Sequence, residues 1–263
     1  MKNYRLYGKP PFEVAVIHGG PGAPGEMAPV ARELASTRGV MEPFQTATSI
    51  QDQIDELKTV LENKGDLPVT LIGFSWGAWL SYIFAAHNPI IVKKLILVGS
   101  GPFEQKYAEG LMDTRLNRLG KEDKIRVKSI LKILNNPESE NKNESFTLLG
   151  ELLSRADTYN PIDDYFNESE IIECQSEIFQ RVWNEAVELR SSGTLLEIGK
   201  HIKCPIVAIH GDYDPHPAEG VEKLLSPIIN NFRFILLKNC GHKPWIEQEA
   251  KSKFFDILYE ELS

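Results

Sequence analysis

The chain has 263 residues, of which 42% are hydrophobic and 25% charged, and a formal net charge of −8. This length and mixture describe a soluble globular chain able to bury a core, and they exclude a disordered polymer. The acidic balance argues against a nucleic-acid partner, which would call for a basic face, and against docking on an anionic membrane.

Met1 to Pro11 is polar and lacks the apolar run of a signal peptide. Phe12–His18 (FEVAVIH) is a short β-branched run ending at glycines and prolines, the pattern of a buried strand. Met27–Ser36 has helical spacing, and Ile50, Ile54, Leu57 and Leu61 form one apolar face of an amphipathic helix. Val69–Phe74 (VTLIGF) is a second buried strand; Trp76–Ala86, apolar nearly all round, is a buried helix; and Lys93–Gly99 is a third strand.

Residues 103–200 break this rhythm. They carry 19 acidic and 13 basic side chains and hold no convincing strand. Leu111–Leu134 and Phe146–Leu153 are the clearer helices, and Asn135–Ser145 is expected to be an exposed loop. The alternation resumes with strands at Pro205–His210 and Phe232–Leu237, and with helical segments around Gly220–Leu225 and Trp245–Leu262. Strands alternating with helices imply an α/β fold: a mostly parallel sheet covered on both faces. Residues 1–102 and 201–263 are expected to form this core, and 103–200 an inserted helical cap.

No stretch approaches the roughly 18 apolar residues of a membrane span. Cys174, Cys204 and Cys240 are widely spaced, with no CxxC pair, so neither a disulfide framework nor a structural zinc site is expected. A reducing cytoplasm is the expected location.

Gly73-Phe74-Ser75-Trp76-Gly77 matches G-x-S-x-G, a pattern that chance supplies in roughly one chain in ten of this length. Its context is more specific. It lies where a strand ends and a buried helix begins, as a nucleophile elbow requires, and the helix N-terminus adds a positive dipole end. A serine hydroxyl needs an adjacent base. Of six histidines, His242 in the loop after the last strand is placed to supply it. His210-Gly211-Asp212-Tyr213-Asp214 follows the preceding strand. The Gly-x-x-Asp spacing carries the Asp214 carboxylate into the loop to orient that base, and leaves Asp212 to brace the turn. The order Ser75, Asp214, His242 is the one expected for this arrangement. His18-Gly19-Gly20-Pro21-Gly22 follows the first strong strand and lets the backbone approach a ligand. The N–H groups of Gly20 and Trp76 are the expected oxyanion hole. His18, Gly19, Pro21 and Gly22 complete a binding loop in which His18 braces the turn. No cofactor or metal is implied, since these aspartates and histidines have roles without one.

At these residues the chain resembles the α/β-hydrolase superfamily over its whole length. The His18–Gly22 string is similar to that of proline iminopeptidases and their relatives, which carry a helical cap with acidic residues that bind the substrate's α-amine. The resemblance departs at the elbow, GFSWGAW, where those enzymes have Gly-Gly before Ser-Trp-Gly-Gly, and their tryptophan-rich cap motif is missing. Asp157, Asp163, Asp164 and Glu168 are the acidic residues that would stand in for its glutamate. The short stretch before Phe12 implies that one or two edge strands are missing.

The expected activity is hydrolysis of a small ester, amide or short peptide through an acyl-enzyme. Aminopeptidase and carboxylesterase chemistry both stay open, as do carbon–carbon bond hydrolysis and acyl transfer by the same residues. A non-catalytic ligand binder on the same scaffold is the alternative from another class. A dehalogenase is disfavoured because its nucleophile would be aspartate where Ser75 stands.

Overall fold

In a computed structural model of the chain, residues 3–136, 138–139, 142–162 and 175–263 are described. Seven strands form one sheet: β1 (Tyr4–Tyr7), β2 (Phe12–Ile17), β3 (Gly39–Pro43), β4 (Val69–Phe74), β5 (Val92–Val98), β6 (Ile206–Gly211) and β7 (Phe232–Leu237). Their order is β1-β3-β2-β4-β5-β6-β7. Only β1 runs antiparallel, pairing Tyr4 with Pro43 and Tyr7 with Val40. An edge strand thus precedes Phe12, made by a segment too short and polar to signal one.

The central strands are continuous apolar runs because both of their faces are covered. On one face Ala15, Ile17, Leu71, Leu95, Leu97 and Ala208 pack under α2 (Ile50–Lys64) and α3 (Trp76–His87). On the other, Val14, Val16, Ile72, Ile96, Val98 and Ile209 pack against α1 (Ala28–Leu34) and α10 (Lys251–Glu261). The α2 helix starts where Ser49 accepts a hydrogen bond from the Asp52 N–H, an N-cap. α3 is buried from Trp76 to Ala86, which explains its lack of a polar face.

Between β5 and β6 run α4 (Leu111–Arg118), α5 (Lys121–Leu134), α6 (Lys142–Ala156), α7 (Ser176–Ser191) and α8 (Thr194–Ile198). Leu119, Val127, Ile130, Leu149, Leu152 and Ala156 give α4–α6 a small core of their own. Among the described residues this segment contains no strand, only an isolated bridge from Pro161 to Glu247. The helix expected over 111–134 is two, broken at Leu119-Gly120, where Leu119 turns extended and buries its side chain. The loop expected over 135–145 is shorter, since Lys142 already begins α6. The final helix begins at Lys251, because Pro244–Ile246 forms a separate 3-10 turn; α9 (Glu219–Leu225) lies between β6 and β7. No helix of the described residues is long and apolar enough to cross a membrane.

In chain order the connections run to one side of β2 for β3 and to the other side for β4 onward. The strand order therefore reverses between β2 and β4, and in open α/β sheets ligands bind outside the carboxyl ends of the strands at such a reversal. Gly19–Gly22 and Ser75 stand at those two ends. A cavity of about 760 Å³ lies at the opposite edge, lined by Pro11, Glu13, Thr70, Lys93 and Lys94 at the strand starts.

Candidate active site

Ser75 joins β4 to α3 with φ 52° and ψ −114°, a sparsely populated positive-φ conformation that costs a non-glycine residue about 1–3 kcal/mol. The surroundings impose it. The Ser75 N–H donates to the Val98 carbonyl at 3.0 Å, and the Ser75 carbonyl accepts from the Ala78 N–H at 3.1 Å. The flanking glycines are required by space: a Cβ at Gly73 would stand 2.2 Å from the Gly77 oxygen, and one at Gly77 would stand 2.3 Å from the Ile17 oxygen.

Asp214 and His242 meet above the sheet. His242 Nδ1 lies 2.7 Å from Asp214 Oδ2, with the carboxylate fully enclosed. Since a carboxylate only accepts, Nδ1 carries the proton and Nε2 is left for another partner. The His242 ring packs 4.7 Å from that of Phe74, the residue before Ser75. It also presses on Gly99, which follows the Val98 that holds the Ser75 N–H; a Cβ at Gly99 would lie 3.1 Å from His242 Nδ1. The elbow and the histidine loop therefore close on the same point of β5.

Asp214 is shared. His216 places its Nδ1 2.7 Å and its main-chain N–H 2.9 Å from Oδ1, and His210 Nε2 stands 3.6 Å from Oδ2. Burial alone would raise the Asp214 pKa, but the imidazoles of His242, His216 and His210 outweigh it and hold the carboxyl well below the usual range. Burial pushes His216 down to about 4 against the opposing pull of Asp214, so it is neutral at neutral pH. His216 was missed in the sequence, although a histidine two residues after an Asx-turn aspartate is a readable pattern. Asp212 braces the turn, accepting from the Cys240 N–H at 3.3 Å and pairing with Lys238.

The glycine loop is held from within. His18 is fully buried; its Nδ1 lies 2.9 Å from the Gly19 carbonyl, and Nε2 accepts from the Gln45 N–H at 3.2 Å. Those partners require neutral imidazole, and burial lowers its pKa accordingly. Gly19 donates to Glu26 Oε2 at 3.1 Å, while Glu26 Oε1 pairs with Lys243 beside His242. Gly20 and Gly22 have φ of 35° and 87°, and Pro21 and Gly22 are buried. Trp76 is also buried, with its Nε1 donating to Gln53.

The helical segment reaches this site directly. Gly22 accepts from the Gln175 N–H at 3.2 Å, and the His242 N–H donates to the Asp157 carbonyl at 2.8 Å. Glu247, completely buried, accepts from the N–H groups of Tyr159, Asn160 and Gly241. The Asp157 carboxylate is committed to Arg115 through two bonds of 2.8 and 2.5 Å, so it is no free anchor for an amine. Asp163, Asp164, Glu168 and Cys174 lie outside the described residues. Asp214, His216 and His242 have ligand atoms within 4.8 Å of one another. Both Nδ1 atoms point at the carboxylate itself at hydrogen-bond length, where a shared ion would need them about 2.0–2.1 Å from a common centre.

A family model described as alpha/beta hydrolase fold matches residues 14–248. The chain belongs to the α/β-hydrolase family. Solved structures of the same fold include VinJ, with a TM-score of 0.67 at 18% identity over 98% of this chain and 93% of that one. A putative lipase from Acinetobacter baumannii has a TM-score of 0.63 at 18% identity, covering 98% and 87%. The thioesterase domain from the curacin biosynthetic pathway has a TM-score of 0.60 at 19% identity, covering 97% and 94%. No curated protein matches the sequence. In this α/β-hydrolase Ser75, Asp214 and His242 all follow the carboxyl ends of strands β4, β6 and β7.

Proposed function

We propose that this α/β-hydrolase is a serine hydrolase in which Ser75 is the nucleophile, His242 the general base and Asp214 the carboxylate behind it. The observation that carries the reading is the strained Ser75 elbow beside a buried Asp214–His242 hydrogen bond. Ser75 Oγ attacks a carbonyl carbon while His242 Nε2 takes its proton. The N–H groups of Gly20 and Trp76 receive the developing oxyanion, a donor pair whose members are each worth about 2.7–4 kcal/mol in comparable sites. His242 then returns the proton to the leaving group, and water repeats the sequence on the acyl-enzyme.

The substrate class that fits best is a small carboxylic ester or thioester with an apolar acyl part. Trp79, one turn beyond Ser75 on α3, stacks on Trp183 of α7 at 5.9 Å, and Trp183 stacks on Phe179 at 5.7 Å. Phe179 continues to Phe146 of α6 at 4.5 Å. These stacked rings join the elbow helix to residues 103–200, which we take to be the cap over the site. The commitment of Asp157 to Arg115 weakens the aminopeptidase alternative, and a putative lipase, a carboxylesterase and a thioesterase domain are among the structural neighbours. Turnover of p-nitrophenyl butyrate beside proline-p-nitroanilide, by wild type and Ser75→Ala, tests the reading. Ser75-dependent ester cleavage supports it. Anilide cleavage without ester cleavage replaces it with the aminopeptidase, and activity that survives Ser75→Ala overturns the mechanism.

A further inference from the structure

The carboxylate of Asp214 is gripped from two sides. Oδ2 receives His242 Nδ1 at 2.7 Å, while Oδ1 receives both Nδ1 and the main-chain N–H of His216, at 2.7 and 2.9 Å. A main-chain donor two residues on is the ordinary closure of an Asx turn and would suffice to shape the loop. The second donor on the same oxygen comes from a side chain nine-tenths buried, whose ring lies 4.7 Å from that of His242. His216 is itself anchored, because His210 Nε2 stands 2.8 Å from its carbonyl oxygen.

We propose that His216 is a positioning residue for the reaction read above: its Nδ1–H locks Oδ1 of Asp214 so that Oδ2 faces His242, and it moderates the pull of that carboxylate on the His242 proton. Two consequences follow from the chemistry. A carboxylate with each oxygen tied to a different imidazole cannot rotate about its Cβ–Cγ bond, so the tautomer and ring plane of His242 are set before substrate arrives. A donor on Oδ1 also draws charge away from Oδ2, and a less basic carboxylate stabilises imidazolium less strongly.

His216 suits this role because it stays neutral. Burial keeps it far below the ordinary histidine range, so no second cation develops beside His242 during the proton transfer. Among the described residues, the charged and titratable groups around the cluster are these. Asp214, His216 and His210 come from the β6 side, Arg115 with its partner Asp157 from the helical segment, and Glu26 with Lys243 from the glycine loop and histidine loop.

The test follows His242 directly in the full chain, by 1H–15N spectra of labelled imidazoles across pH, assigned by the signal lost in His242→Gln. His216→Phe keeps the ring and removes the donor; His216→Asn puts a side-chain N–H near the Nδ1 position. The expected result is a His242 titration midpoint about 0.5 pH units or more higher in His216→Phe, restored toward wild type in His216→Asn. The acid limb of kcat/KM for the ester moves by the same amount, and kcat falls about tenfold in the Phe variant. A midpoint unmoved in His216→Phe, or moved equally in His216→Asn, overturns the proposal. Should the Phe variant fail to fold, His216→Ala gives the same comparison. The spectra need no turnover, so a wild-type chain that cleaves no ester removes the ester reading while the role of His216 is still decided.

Discussion

The main-chain N–H of His242 donates to the carbonyl oxygen of Asp157, 2.8 Å away, across 85 residues of chain. The proposed base is thus held by the segment inserted between β5 and β6, and that contact is itself held by the Arg115–Asp157 pair. Arg118 adds a second clamp, donating to the carbonyls of Ala156 and Tyr213 on either side.

Arg115→Met is therefore expected to cost about 3 kcal/mol of stability, because it leaves the buried Asp157 carboxylate unpaired. It is also expected to lower ester turnover by loosening the histidine loop. Urea unfolding and steady-state kinetics on the same preparation check both. An unchanged unfolding midpoint would show that the pair is worth no more than a surface one.

The elbow strain separates two substitutions that both abolish turnover. Ser75→Gly removes the side chain and the φ penalty together, whereas Ser75→Ala keeps the penalty. The glycine variant should be more stable than the alanine variant by about 1 kcal/mol, and neither should react with a fluorophosphonate probe. Equal stabilities would mean the elbow stores no strain.

Gly99→Ala tests the closeness of β5 to the base. The added methyl would meet the His242 carbonyl at 2.8 Å and Nδ1 at 3.1 Å, at a φ of 52° unsuited to alanine. Turnover should fall by at least about tenfold with the fold retained by circular dichroism. Wild-type activity in this variant would place His242 elsewhere during catalysis.

Stability should decline with acid. His216 titrates at about 4 in the folded chain and near 6.5 when unfolded, so below about pH 6.5 the unfolded state binds the extra proton. Its contribution, on the order of 3 kcal/mol, is full above pH 6.5 and lost progressively down to about pH 4. Buried His18 shifts in the same direction, and Asp214, whose pKa is depressed, extends the loss to lower pH. Urea midpoints at pH 7.5 and pH 4.5 should differ, and differ less in His216→Asn. A midpoint independent of pH over this range would contradict the burial of both histidines.

Much of the architecture was legible because its signals are local. Val69–Phe74 followed by Trp76–Ala86 reads as a buried strand and buried helix from apolar runs alone, and β7 spans Phe232–Leu237 as its pattern predicts. The strands at Tyr4–Tyr7 and Gly39–Pro43 were not legible. The first is an edge strand whose residues are half-buried or exposed, and its existence depends on pairing with the second. The break at Leu119-Gly120 was hidden because the helical spacing of apolar residues resumes directly after it in α5.

The sequence by itself determined the α/β alternation and the strand ends that carry Gly20, Ser75, Asp214 and His242, because hydrophobic period and turn chemistry act over a few residues. Only the tertiary structure decided which side chains share those ends. It set His216 on the free oxygen of Asp214, sealed Asp157 against Arg115, and put Glu247 under the N–H groups of Tyr159, Asn160 and Gly241. These are contacts between segments far apart in the chain or between side-chain rotamers, and they exist only once packing has removed the water that would otherwise satisfy each group.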